Sequence, residues 1–240
     1  MPDLNLDESL RRMLAEPPRR VRRLDLADGR RFWLKRVERL SGRLRLQKGD
    51  PERAFAAERD GLRALNAAGV PVAGVAAEGP DWVLMPDAGP TLPEVVADTD
   101  CREADKLSAF AEAGRALGRL HWAGMAHGRP AVRDVCWDGR MARFIDLERF
   151  RQAKRAGFWQ AADVVMFAQT AFTLWPEDGR WLEAALGAYA QNAPEGALAG
   201  ARRLARWLVP VGWLAGALSA LKPGSRELRA VGLTLAQLRG

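Results

Sequence analysis

Cysteine and histidine are scarce in these 240 residues: Cys101 and Cys136, His121 and His127, and no others. Two thiols exclude a disulfide scaffold, and so few Cys and His ligands argue against a zinc site. Tyrosine occurs once against nine tryptophans. Trp33, Trp82 and Trp137 fall on predicted strands, and Trp207 and Trp213 in an apolar segment. They are expected as core or interface residues rather than stacking platforms. Cys136 lies in an apolar run and reads as packed rather than reactive. The opening Met1-Pro2-Asp3-Leu4-Asn5 has no basic region followed by an apolar run. No secretory signal is read there, and the cytoplasm is the expected compartment. Long hydrophobic runs are lacking too. Trp207 to Leu221 carries no charge, but its fifteen residues fall short of the roughly 20 that span a bilayer. Pro210, Gly212 and Gly216 interrupt it, and Arg202, Arg203, Arg206 and Lys222 flank it. A buried core helix is the expected reading, and a segment lying on anionic lipid is the alternative. There is no internal repeat and no low-complexity tract.

What is present suits a folded domain of ordinary size or two small lobes. Hydrophobic residues at 48% and charged residues at 28% argue against wholesale disorder. Lys and Arg total 37 against 30 Asp and Glu, a net charge of +7. That balance favours anionic partners: phosphates, acidic glycans, a membrane surface or nucleic acid. The basic runs near 19–23, 30–36 and 202–206 are scattered and no nucleic-acid motif accompanies them, so nucleic acid is not the expected partner.

Leu6 to Ala15 has helical periodicity and stops at Pro17-Pro18. Val21 to Leu26 and Arg31 to Val37 are predicted strands, and the Asp28-Gly29 between them signals a hairpin. Ser41 to Gly49 is a basic connection without a clear period. Asp50-Pro51-Glu52 then opens a helix that runs to about Ala68. Val70 to Ala77 and Trp82 to Met85 are predicted as a further strand pair. Pro86 to Pro90 reads as a linker, and Thr91-Leu92-Pro93-Glu94 as a capping box. Beyond it the pattern is helical: Glu103 to Met125, Phe158 to Leu174, Arg180 to Tyr189, Leu198 to Leu208 and Ser225 to Leu238. A short hairpin, Val135 to Trp137 and Arg143 to Ile145, turns at Asp138-Gly139. The expected class is α+β, with a strand-rich lobe over residues 1–86, a helical lobe over 87–240, and a ligand cleft between them.

Two clusters carry chemistry. Glu58 falls on the apolar stripe of its helix with Phe55, Leu62 and Leu65, and a buried carboxylate needs a cation. Lys35 is the candidate, sharing a strand face with Trp33 and Val37. The competing reading puts Glu58 at the stripe's edge, paired with Arg59 or Arg63 in solvent. In the second cluster Asp134 precedes the hairpin of residues 135–145 and Asp146 follows it. A hairpin brings its ends together, and two adjacent carboxylates repel unless a cation lies between them. Oxygen ligands without a Cys/His set suit Mg²⁺. The alternative is that both acids cap turns or pair with Arg133 and Arg143.

Lys35, Glu58, His127-Gly128, Asp134 and Phe144-Ile145-Asp146, in that order over about residues 20–175, resemble the protein-kinase-like fold. The hairpin before Asp146 is similar to that of aminoglycoside phosphotransferase-like and lipopolysaccharide kinases. The small size and Asp146-Leu147-Glu148 most resemble the bacterial lipopolysaccharide (Kdo or heptose) and RIO-like kinases. The resemblance implies a two-lobed fold with a small reduced β-rich N-lobe. It implies ATP and Mg²⁺, with phosphate transferred to a hydroxyl. Lys35 would hold the α- and β-phosphates, and Glu58 would orient it. Met85, Asp87 and Ala88 would form the adenine hinge, and Asp134 and Asp146 would hold the metal. His127 would brace the catalytic loop, and Asp163 would anchor it through its backbone. The +7 charge and the apolar segment lean toward an anionic glycolipid or sugar acceptor at the inner membrane face.

Two departures bear on activity. Where the family keeps its catalytic base, two residues after the histidine, Arg129 stands, and a guanidinium cannot accept a proton. Three explanations compete: a pseudokinase that binds nucleotide or a partner without transfer, Asp134 as the base, or Arg129 stabilising charge on the transferred phosphoryl group. Secondly, no glycine-rich loop precedes the Lys35 strand. Phosphate cover is expected from Arg30, Arg31 or Ser41-Gly42-Arg43, or else the nucleotide is held weakly.

Overall fold

The computed structural model describes residues 4–37 and 51–240. The expected Ser41–Gly49 connection, the Asp50 cap and the Ser41-Gly42-Arg43 phosphate cover lie outside the described residues. Helix α1 (Leu4–Ala15) leads into β1 (Val21–Asp25) and β2 (Arg31–Arg36), followed by α2 (Pro51–Ala67), β3 (Ala77–Glu78) and β4 (Trp82–Pro86). The four strands form one antiparallel sheet in the order β1-β2-β4-β3.

Strand alternation divides this sheet between two cores. Phe32, Leu34 and Leu84 face α1 and pack with Leu10 and Met13. Trp33, Val83 and Met85 face the other way, into the main core shared with the helical lobe. Lys35 pairs across the ladder with Val83, and Trp33 with Met85, so period 2 aims the lysine at the interior between the lobes.

One expected strand does not form. Val70 to Ala76 lies outside any strand, and only Ala77–Glu78 pairs with β4. Pro71 has no N–H to give to a ladder. Its carbonyl instead accepts from the Phe144 N–H (3.2 Å), and the Ala73 N–H donates to the Phe144 carbonyl (3.2 Å). The segment thereby ties the sheet lobe to the hairpin of the helical lobe.

The chain leaves β4 through Asp87–Pro90 and enters α3 (Leu92–Ala97). The Glu94 carboxylate accepts from the Thr91 N–H (2.7 Å) and hydroxyl (2.8 Å), as a capping box does. Helix α4 (Glu103–Trp122) ends earlier than its period suggests, because Met125–Ala126 forms β5 against β8 (Arg151–Gln152). Strands β6 (Val135–Trp137) and β7 (Ala142–Phe144) make the hairpin, and α5 (Phe158–Leu174), α6 (Arg180–Asn192), α7 (Ala197–Trp207), α8 (Val209–Leu221) and α9 (Arg226–Arg239) complete the lobe. Gly114 brings α4 onto α6: a Cβ there would lie 2.0 Å from the Ala185 carbonyl oxygen.

Helix α8 overturns the expectation of a buried core segment. Of its thirteen residues only Ala215 is buried. Trp213 is 75% exposed, Leu221 79%, and Trp207 at the end of α7 83%. The charge-free composition was visible in sequence, but among the described residues this helix packs mainly on α9, where Gly212 meets Leu235.

Candidate active site

The cleft between the lobes begins with a buried ion pair. Lys35 (7% exposed) meets Glu58 (2% exposed), which α2 presents on its apolar stripe beside Phe55, Leu62 and Leu65. The solvent-edge alternative for Glu58 is thereby excluded. The same ammonium lies 3.2 Å from Asp146 Oδ1 and 3.2 Å from Glu148 Oε1. Burial alone would lower the pKa of Lys35, but attraction to Glu58, Asp146 and Glu148 outweighs it and raises the pKa. Burial pushes Glu58 up, and Lys35 draws it back part of the way.

Asp146 sits just past β7 with φ +59, in the left-handed region that few side chains adopt. This local turn directs its carboxylate back to the cleft, where Oδ2 is 3.3 Å from Arg129 Nη2. Burial acts to raise its pKa, yet Lys35 and Arg129 hold it below the usual carboxylate range. Asp134 has the opposite surroundings. It is buried at the end of a short 3-10 turn (Val132–Asp134), and its Oδ2 finds no hydrogen-bond partner among the described residues. Burial and then the charge of Asp146 push its pKa up to about 6. Of the alternative considered from sequence one part is present, Arg133 Nε at 3.8 Å from Asp134 Oδ1; Arg143 pairs with Asp138 instead, and Asp146 with Lys35 and Arg129.

The loop that carries Arg129 is fixed from beneath. Asp163 on α5 accepts from the His127 N–H (2.7 Å) and the Gly128 N–H (2.9 Å), the anchoring that the resemblance implied. His127 Nε2 contacts the Ile145 carbonyl at 3.1 Å, and burial lowers the ring's pKa. It braces the loop through that contact. His121 spans Asp163 (3.3 Å) and the Tyr189 hydroxyl (2.7 Å). Gly128 has φ +88, and a Cβ there would lie 2.2 Å from the Arg149 carbonyl oxygen, so this position needs glycine.

A cavity of about 410 Å³ opens over these groups. Lys35, Glu58, Asp134 and Asp146 line one end, and Met85, Pro86, Asp87 and Ala88 the other. Its wall is mostly apolar there, with Ala73, Cys136 and Ile145. A second hollow of about 450 Å³ shares Lys35, Asp134 and Asp146 but is rimmed by Arg129, Arg133 and Arg149. Lys35, Glu58, Met85, Asp87, Ala88, Arg129, Asp134 and Asp146 thus border two hollows that share Lys35, Asp134 and Asp146. Arg30 and Arg31 instead are engaged by Asp28 and Asp25 and line neither hollow.

Three contributors escaped the sequence. Glu148 completes a triad of carboxylates with Glu58 and Asp146 whose oxygens lie within 4.8 Å of one another. Its position two residues after Asp146 was the available signal. Arg20 pairs with Glu148, and Trp33 donates from its indole to Asp87 Oδ1 at 2.6 Å, bracing the hinge. Both depend on contacts far along the chain, 128 and 54 residues apart.

Over 98% of this chain and 99% of the other, the structure superposes on that of a choline/ethanolamine kinase family protein from Mesorhizobium loti, with a TM-score of 0.54 and 14% sequence identity. The fold is protein-kinase-like. No family model matches the sequence. An uncharacterized protein of Haemophilus influenzae is 29% identical over 140 residues, 58% of this chain and 58% of that protein. In the kinase-like frame, the β-sheet lobe is the N-lobe, the helical lobe the C-lobe, and the Lys35–Glu58 pair crosses the N-lobe just above the hairpin that carries Asp134 and Asp146.

Proposed function

We propose that this protein is an ATP- and Mg²⁺-dependent phosphotransferase acting on a hydroxyl of an anionic acceptor, such as a lipopolysaccharide core sugar or another anionic glycolipid. The observation that carries the proposal is Asp134: a buried carboxylate whose Oδ2 has no hydrogen-bond partner among the described residues, lining with Asp146 a cleft whose other end is apolar. A divalent cation would relieve both the burial penalty and the repulsion, so the donor set fits Mg²⁺. The metal would neutralise the charge that develops on phosphate oxygens during transfer.

The chain's own residues divide the work as follows. Lys35, held by Glu58, contacts the α- and β-phosphates, and the Met85–Ala88 hinge seats the base of the nucleotide. Asp134 and Asp146 hold the metal. Arg129 cannot serve as a base. It lies between Asp146 and the arginine-rimmed hollow, where it stabilises charge on the transferred group; with Asp134 holding the metal, transfer leans on positioning and charge neutralisation rather than on a base. Arg133 and Arg149 supply the positive surface for an acidic acceptor. Such an acceptor belongs at the cytoplasmic face of the inner membrane.

Thermal melts test the nucleotide site. ATP with Mg²⁺ at about 100-fold over Kd should add about 2.7 kcal/mol. For a chain of this size that is roughly 5–10 °C. Asp146→Asn should lose the Mg²⁺-dependent part and all ATP turnover. No shift at millimolar ATP and Mg²⁺ would refute the proposal. One observation favours a second reading, a nucleotide-binding or partner-binding pseudokinase: Arg129 already neutralises Asp146 Oδ2 at 3.3 Å. A melt shift with no ATP turnover above that of Asp146→Asn would select it.

A further inference from the structure

We infer that α7 and α8 form a docking surface for an anionic lipid bilayer, with α8 lying in the plane of the interface. This rests on surface residues away from the cleft and stands whether or not the chain transfers phosphate. Val211, Leu214, Leu218 and Leu221 follow one another at helical spacing, are 51%, 60%, 40% and 79% exposed, and form one outward stripe. Trp207 and Trp213 flank it at 83% and 75% exposure. An indole with an apolar body and one N–H donor suits the headgroup level of a membrane.

Charge selects the partner. Between Ala197 and Arg226 the chain carries Arg202, Arg203, Arg206, Lys222 and Arg226 and no acid. The basic residues bracket the apolar stripe at both ends. A second copy docked about a two-fold axis would set these cationic ends against each other, whereas anionic headgroups complement them. The surface also continues past α8. Phe158 (62% exposed) borders a groove with Arg203, Leu204 and Trp207, and Arg151 stacks at 4.0 Å over Trp159.

The geometry favours lying on the bilayer over crossing it. Helix α8 has 13 residues, about 20 Å at 1.5 Å per residue, against a hydrocarbon core of roughly 30 Å. Helices α7 and α8 meet at a 55° bend. Helix α7 also keeps Ala197, Ala201 and Ala205 in the protein core. It therefore cannot join α8 in a span without unpacking the C-lobe.

Co-sedimentation of the full chain with phosphatidylcholine vesicles, with and without 30% phosphatidylglycerol, tests the inference. The wild type should partition to the anionic vesicles at least tenfold more strongly, and less so as salt rises. Leu214→Glu/Leu218→Glu and Arg203→Glu/Arg206→Glu should each lower that partition at least tenfold while melting as the wild type does, because these side chains are exposed. If the wild type stays in the supernatant, or Leu214→Glu/Leu218→Glu binds as it does, the inference is overturned. It is equally overturned if the wild type ignores vesicles but dimerises in sedimentation velocity and Leu214→Glu/Leu218→Glu is monomeric, which would assign the face to a second copy.

Discussion

Replacing Asp134 by asparagine should stabilise the metal-free protein at neutral pH. The folded chain holds this proton up to about pH 6, whereas the ordinary value is 3.8. Between those values the native state binds more proton than the unfolded state, so stability falls as pH rises, and above pH 6 the whole penalty is present. At about 1.4 kcal/mol per pH unit, the interval corresponds to an upper bound of about 3 kcal/mol. Asparagine keeps the shape and removes the charge. Urea melts in EDTA should therefore show wild type and variant converging near pH 4 and separating up to pH 7.5, with the variant the more stable. Excess Mg²⁺ should narrow or reverse the order at pH 7.5, because only the carboxylate gains a cation. A difference that does not change with pH, or a less stable variant in EDTA at pH 7.5, would refute the reasoning.

Lys35→Met strands Glu58 in the core and should cost about 3–5 kcal/mol. The double variant Lys35→Met/Glu58→Leu should recover most of that, and both should lose ATP affinity in thermal-shift titrations. Arg129→Ala should lower ATP turnover if the guanidinium stabilises transferred charge. In a pseudokinase it should instead leave turnover at zero and tighten Mg²⁺ binding by freeing Asp146. Gly114→Val drives a side chain into the Ala185 carbonyl and should lower the melting midpoint by at least the equivalent of about 1–3 kcal/mol. Gly128→Ala forces a φ of +88 on a residue whose Cβ would lie 2.2 Å from the Arg149 carbonyl oxygen, and should lower both the melting midpoint and turnover.

The divide between what was legible and what was not follows the range of each signal. Period 2 along Arg31–Arg36 and period 3.6 along Pro51–Ala67 placed Lys35 and Glu58 on inward faces. Two inward charges of opposite sign in a dry core have one good solution, each other. The Asp138-Gly139 turn brought Asp134 and Asp146 to neighbouring positions by the same local logic. These inferences needed only the geometry of single elements. Glu148, Arg20 and Trp33 joined the site through partners far along the chain, which no local pattern encodes.

The amino-acid order alone therefore determined most of the elements and put Lys35 forward as the candidate partner for Glu58, because backbone geometry repeats over a few residues; the structure decided for that pairing over the solvent alternative with Arg59 or Arg63. Tertiary structure decided three further matters. Val70 to Ala76 left the sheet to bind the hairpin, since Pro71 could not join a ladder and Phe144 offered its backbone groups. Asp134 Oδ2 was left without a hydrogen-bond partner among the described residues. And the apolar stripe of α8 was left exposed among the described residues, because a helix's apolar face records what it can bury and only its neighbours determine whether the protein itself covers it.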